Sequence, residues 1–250
     1  MSRNEIQRFI DEKLDLLKVA EEYKSADREI MGDYAKGYEE SMVEDIAYLT
    51  VELKDKLVDY GVIISDDASA RLPSLFFRRL INKEKDKKKM SHVETYFIAS
   101  GRHDVEDVYR GIKDYLKEKV IPNQRVLLVS EYIDTGRSIN RICRILDELG
   151  VDYDLAAVSS ADPIDDGDSY SRYPEMKKHL ISGGCNLGGL HFHDNRGGGV
   201  KKDVHYMGKP VKDKIHPKRI TKGDVDDQRR MNAVRKNIND LADKLSPLLE

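Results

Sequence analysis

The chain has 250 residues and a mass of 28.6 kDa, enough for one α/β domain with extensions or for two small ones. Its hydrophobic set is 39%, rising to about 46% with the 17 glycines, and the net charge is −3, a balance that excludes disorder as the main state even though charged residues, at 36%, exceed the usual ~25%. No stretch approaches the ~20 apolar residues of a membrane span and Met1–Arg8 carries no apolar export segment, so a soluble cytoplasmic protein is expected; two cysteines, Cys143 and Cys185, exclude a disulfide framework and a four-thiolate metal site.

Residues 4–24 space Ile6, Phe9, Ile10, Leu14, Leu17 and Ala20 at steps of three and four, which predicts a first helix. Ser41 followed by Glu44 has the form of a capping box and predicts a second helix over 41–60, stopped by Gly61 and followed by a short buried strand at Val62–Ile64. Leu72–Ile81 has helical spacing behind Pro73, Glu94–Ala99 reads as a strand, and residues 104–120 read as a helix. Lys83–Lys89, with five lysines and two acids, reads as a solvated loop. Val126–Val129 is an apolar run of strand length, Ile139–Leu149 a helix ended by Gly150, and Leu155–Val158 the next strand. This alternation predicts a parallel sheet of about five strands with helices on both faces.

Beyond Ser160 the pattern dissolves into Asp162-Pro163-Ile164-Asp165-Asp166-Gly167-Asp168, the pairs Gly183-Gly184 and Gly188-Gly189, and Gly197–Gly199, which together read as a loop-rich hood. Met231, Val234, Ile238, Leu241, Leu245 and Leu248 predict a closing amphipathic helix, packed on the body, with a homodimer seam as the alternative. The expected organisation is a helical extension at 1–60, an α/β core at 61–160, and the hood with its helix at 161–250. Residues 1–60 hold nine basic against sixteen acidic residues, whereas 196–223 hold nine against two. Lys209–Lys222 has no aromatic interleaving, so nucleic-acid binding ranks last, and the basic segment reads as a solvated face.

The stretch that carries chemistry is Ser130-Glu131-Tyr132-Ile133-Asp134-Thr135-Gly136-Arg137-Ser138, where an apolar strand runs through an acid into the start of a helix. Amides at a helix N-terminus point outward with the positive end of the dipole, Gly136 permits close approach, and Thr135 and Ser138 add hydroxyl donors, so a phosphate monoester fits there. The run from 126 to 139 resembles the phosphoribosyl pyrophosphate motif of the type I phosphoribosyltransferases. The resemblance covers about residues 60–160 and implies that Thr135, Gly136, Arg137 and Ser138 bind the 5-phosphate, that Glu131 binds the ribose hydroxyls, and that Asp134 is the catalytic residue beside the reacting ring. It also implies Mg²⁺ entering with the pyrophosphate, with no metal held by the protein alone.

The departure is Ser130, which stands where that family usually has the first acid of a pair. A second, shorter resemblance is the loop Ala68-Ser69-Ala70-Arg71 ahead of a helix, which implies a grip on the pyrophosphate; the alternative is a polar loop with Asp66 or Asp67 capping the helix and Arg71 solvated. Arg102 and His103 read as an exposed turn, the alternating His191-Phe192-His193-Asp194 puts both imidazoles on one strand face but has no second cluster of ligand spacing, and the aspartates 162, 165, 166 and 168 carry no assignment. Transfer of a phosphoribosyl group to a nitrogenous acceptor is the expected function, and a non-catalytic ribose-phosphate or nucleotide sensor is the rival.

Overall fold

The apolar runs Val62–Ile64, Val126–Val129 and Leu155–Val158 require cover on both faces, and the chain supplies it. The structure, a computed structural model, describes residues 38–66, 70–98, 106–120, 124–160, 173–184, 235–236 and 238–249. In chain order these give α1 (Tyr38–Leu53), a 3₁₀ turn (Lys54–Asp59), β1 (Tyr60–Asp66), α2 (Arg71–Lys87), β2 (Glu94–Ile98), α3 (Glu106–Lys119), β3 (Arg125–Ile133), α4 (Arg137–Glu148), β4 (Tyr153–Ser160), α5 (Pro174–His179) and β5 (Leu180–Gly184). A helical stretch at 238–245 and a 3₁₀ turn at Ser246–Leu249 follow. All strand pairs are parallel and the order is β2-β1-β3-β4-β5, so the fold is α/β with a doubly wound sheet. Among the described residues no helix is long and apolar enough to cross a membrane.

Alternate residues of each strand feed two separate cores. Ile63, Leu127, Val129, Ala156 and Val158 meet α1, α2 and the C-terminal helix, which contributes Ile238, Leu241, Ala242 and Leu245. Val62, Ile64, Val126, Leu128 and Leu155 meet α3, α4 and Met176 of α5. The α4 sequence shows why: Ile139, Ile142, Ile145 and Leu146 recur at three- and four-residue steps and are fully buried, each worth ~1.5–3 kcal/mol. Its end is fixed by Gly150 at φ +65°, where Gly150 N donates to Asp147 O and Val151 N to Leu146 O, the paired bonds of a Schellman motif.

Several elements differ from the sequence reading. The fifth strand, Leu180–Gly184, lies in the segment read as loop and pairs with β4 through Leu155–Leu180 and Ser159–Gly184. Its two glycines signal close approach rather than a turn. A Cβ at Gly183 would lie 2.6 Å from Val158 O, and one at Gly184 would lie 2.6 Å from Cγ of the buried Asp45 on α1. Just upstream, His179 stacks on Tyr153 with ring centroids 4.1 Å apart, and its Nδ1 is 2.9 Å from the Tyr153 carbonyl, which fixes the entry into β5. Lys83–Lys87 is the last part of α2 rather than a loop: Lys83 pairs with Asp243 at 3.0 Å, and the stem of Lys85 is buried. The reason is tertiary, because the C-terminal helix lies along α2 and gives its polar side partners, Arg79–Asp243 at 2.9 Å and Ser246–Glu84 at 2.8 Å. Ser41 lies inside α1, which Glu39 and Glu40, good helix formers, extend N-terminally, and Gly61 belongs to β1. Helix 4–24, Met231 and Val234, and the acidic, histidine and glycine runs between 161–172 and 185–234 lie outside the described residues.

One polar cluster ties the N-terminal ends of the strands. Asp154 of β4, 6% exposed, accepts from Tyr60 Oη at 2.7 Å, Arg125 Nε at 2.8 Å and Lys56 Nζ at 2.9 Å. Burial by itself raises its pKa, but these three donors and the Arg125 charge outweigh burial and hold the carboxyl below the ordinary carboxylate value. A depressed folded-state pKa stabilises the fold above the unfolded value near 3.8, and that contribution disappears as pH falls through the lower folded value. Asp154→Asn is expected to cost about 2–3 kcal/mol at neutral pH, less than a fully buried pair because Lys56 and Arg125 keep part of their hydration, and to flatten the acid limb of the stability profile. Urea midpoints from pH 2 to pH 7 measure both effects. Gly184→Ala is expected to destabilise by about 1–3 kcal/mol through overpacking against Asp45, whereas an alanine at the exposed Gly150 meets no atom within 4 Å and loses only the preference of its positive φ; thermal melts of the two variants compare the mechanisms.

Candidate functional site

Parallel connections bring every strand's carboxyl end to one edge, and ligands of open α/β sheets collect where the strand order reverses. Here the chain leaves β1 toward β2 on one side and returns to β3 on the other, so the reversal lies between β1 and β3. Both loops singled out in the sequence open at this point. The end of β1 leads into α2, which covers one face of the sheet, and the end of β3 leads into α4, which covers the other. Two helix N-termini on opposite faces thus converge on one crevice.

The two starts are alike in chemistry. The residue ahead of α2 is Ala70 and that ahead of α4 is Gly136; neither makes a side-chain cap bond, and neither helix has an acid in its first turn. Each opens on an arginine, Arg71 and Arg137. A cation at the positive end of a helix dipole is unfavourable in isolation and becomes favourable when an anion sits between the arginine and the amides. Gly136 has φ +73°, a left-handed conformation that turns the chain sharply from β3 into α4 and would strain any side chain. Asn140 N donates to Gly136 O at 2.9 Å, so the helix is hydrogen-bonded from its first turn.

β3 runs to Ile133, so Ser130–Ile133 is strand and only Asp134–Gly136 is turn. Asp134, Thr135 and Arg137 are exposed, Ser138 is half-buried, Gly136 is buried and Glu131 is fully buried. Ser130 is buried, with its hydroxyl 3.4 Å from the Tyr132 carbonyl. Burial and the nearby Asp134 charge both raise the Tyr132 phenol pKa, which keeps it a neutral neighbour of the turn.

At the other loop, Ala70 is buried and Arg71 is half-buried, its guanidinium 5.2 Å over the Phe97 ring of β2, while Ala68 and Ser69 lie outside the described residues. Asp66 is the last residue of β1 and is buried, so it is not the cap of α2; that position falls to Ala70. Sequence reasoning missed Ser65 and Ser74, whose fully buried hydroxyls have no hydrogen-bond partner, although a serine breaking an apolar strand and another on the inner face of a helix are a visible signal.

Comparisons of the chain with protein-family models, curated proteins and solved structures find no match. Among the described residues no group of three or more His, Cys, Asp or Glu is arranged to hold a metal ion. Cys143 on α4 is buried, and burial pushes its thiol pKa up to about 12, so it is a protonated core side chain and not a nucleophile. Cys185, Arg102 and His103 lie outside the described residues. The chemistry the crevice can perform is therefore anion binding at two helix starts, with a buried carboxylate, Glu131, in the strand between them.

Proposed function

We propose that the crevice between β1 and β3 binds phosphoribosyl pyrophosphate and that the chain transfers its phosphoribosyl group to a nitrogenous acceptor, on a fold of the type I phosphoribosyltransferase kind. The observation that carries this reading is the pair of uncapped, arginine-led helix starts meeting at the reversal point, one for each phosphate-bearing end of such a ligand. The amides of α4 with Thr135, Arg137 and Ser138 take the 5-phosphate. The start of α2, with Ala68, Ser69, Ala70 and Arg71, takes the pyrophosphate. Glu131 accepts from a ribose hydroxyl, a charge-assisted hydrogen bond that a buried carboxylate makes well.

In the transfer step the acceptor nitrogen forms a bond to C1 of the ribose while the bond from C1 to the pyrophosphate oxygen breaks. The electron pair leaves with pyrophosphate, and the acceptor loses its N–H proton to solvent. Mg²⁺ bound through the pyrophosphate, and not through a protein ligand set, would supply neutralisation of the charge that develops there. Arg71 adds a fixed cation on the same side, held in place by Phe97. Asp134, exposed at the mouth of the crevice, faces the positive character that grows on the ribose ring.

The second reading is a sensor that binds the same ligand without turnover, and the observation in its favour is Ser130, a buried hydroxyl at the position where the resembling family usually has the first acid of a pair. Calorimetric titration with phosphoribosyl pyrophosphate and Mg²⁺ is expected to show one site per chain, and Thr135→Ala with Gly136→Val is expected to weaken it on the order of 100-fold, since the variant loses a hydroxyl donor and closes the amides. Unchanged affinity in a folded variant removes the cradle. Asp134→Asn separates the two readings: an enzyme loses turnover, on the order of 100-fold in pyrophosphate release, with little change in affinity, whereas a sensor shows no release before or after the change.

A further inference from the structure

Ser65 pairs with Val129 across the β1–β3 ladder, and continuing that register by one residue brings Asp66, the last residue of β1, beside Ser130, three residues before the end of β3. Neighbouring strands lie about 4.8 Å apart, so a side chain at one of these positions reaches the ligand space of the other. Both belong to the face that α4 covers. Ser130 shares strand parity with Val126 and Leu128 and pairs with Ala157, all of that core. Asp66 shares parity with Val62 and Ile64, and its charge is felt by the Cys143 thiol on α4. Glu131 occupies the opposite face, that of Val129 and Ser65. The reversal point therefore carries two buried carboxylates, one from each strand and one on each face, and the buried hydroxyl of Ser65, the residue before Asp66, lies on the Glu131 face with no hydrogen-bond partner among the described residues.

We propose that Asp66 binds a hydroxyl of the ligand's ribose from β1, filling from the neighbouring strand the place that Ser130 leaves without a charge on β3. The assignment rests on the ribose-phosphate reading above and extends it to a residue outside the 130–138 run. A small, uncharged side chain at 130 is then a requirement of the site, because two carboxylates side by side on adjacent strands repel. A diol held between Asp66 on one side and Glu131 on the other is fixed in orientation. A free phosphate, which presents only anionic oxygens, gains nothing from either acid.

The experiment is a calorimetric comparison of ribose 5-phosphate with inorganic phosphate on the whole chain. Asp66→Asn is expected to weaken ribose 5-phosphate about tenfold or more while leaving inorganic phosphate unchanged or slightly tighter. Ser130→Asp alone is expected to bring no gain, and the same change in the Asp66→Asn chain is expected to restore most of the lost affinity, an opposite response that loss of packing does not produce. Parallel changes for both ligands, or an added gain from Ser130→Asp in the unaltered chain, overturn the role of Asp66; the second holds even if Asp66→Asn does not fold. Failure of the unaltered chain to bind either ligand overturns the cradle and this assignment together, whereas equal affinity for the two overturns the Asp66 assignment alone.

Discussion

A parallel strand cannot be followed by its neighbour through a tight turn, and in this protein β3 and β4 are covered on both faces over almost their whole length. Every connection must therefore cross the sheet and return to the same edge. That constraint divides the molecule into two ends with different chemistry. At the amino end of the strands, the polar groups satisfy one another around Asp154. At the carboxyl end the groups divide: Ser160 and Ser182 bond across β4 and β5, whereas Ser65 and Ser74 have no partner among the described residues and neither Ala70 nor Gly136 caps its helix with a side chain. The Asp154 cluster and the two arginine-led helix starts are thus placed about one strand length apart, so a change at the helix starts leaves the Asp154 cluster untouched.

The parts of the fold legible in the sequence are those whose signal is local. Val126–Val129 and Leu155–Val158 are apolar because both faces of the sheet are buried, and α4 announces itself by its periodicity and by Gly150. The parts that were not legible depend on distant residues. Leu180–Gly184 carries two glycines because Asp45, well over a hundred positions earlier, leaves no room for a Cβ. The tail of α2 is helical because Asp243 and Ser246 give its lysines and Glu84 partners, although exposed pairs of this kind add only about 0–1 kcal/mol each and the apolar seam of Leu241 and Leu245 does most of the holding.

The same division applies to the candidate site. The 131–138 segment is contiguous, so its acid, turn and helix start can be read in a line. The likeness of Arg71 to Arg137 is visible only once both helices are seen to begin at one crevice. The neighbourhood of Asp66 and Ser130 is a matter of register, which no local pattern encodes. A serine that looks like a loss in the linear motif is, in the sheet, the neighbour of an aspartate.

The packing of α1 on β5 has a consequence for how the chain is made. Ile46 and Leu49 leave the ribosome long before Gly183 and Gly184, yet the close approach that Asp45 makes is to those two glycines. Until β5 is synthesised, α1 lacks half of its seat, and the growing sheet ends at a bare β4 edge. Such a late, long-range closure raises the contact order and leaves an unpaired strand exposed during synthesis. The nascent protein is thus most vulnerable to misassociation between completion of β4 and arrival of β5, a window of about two dozen residues set by the interval from Ser160 to Gly184.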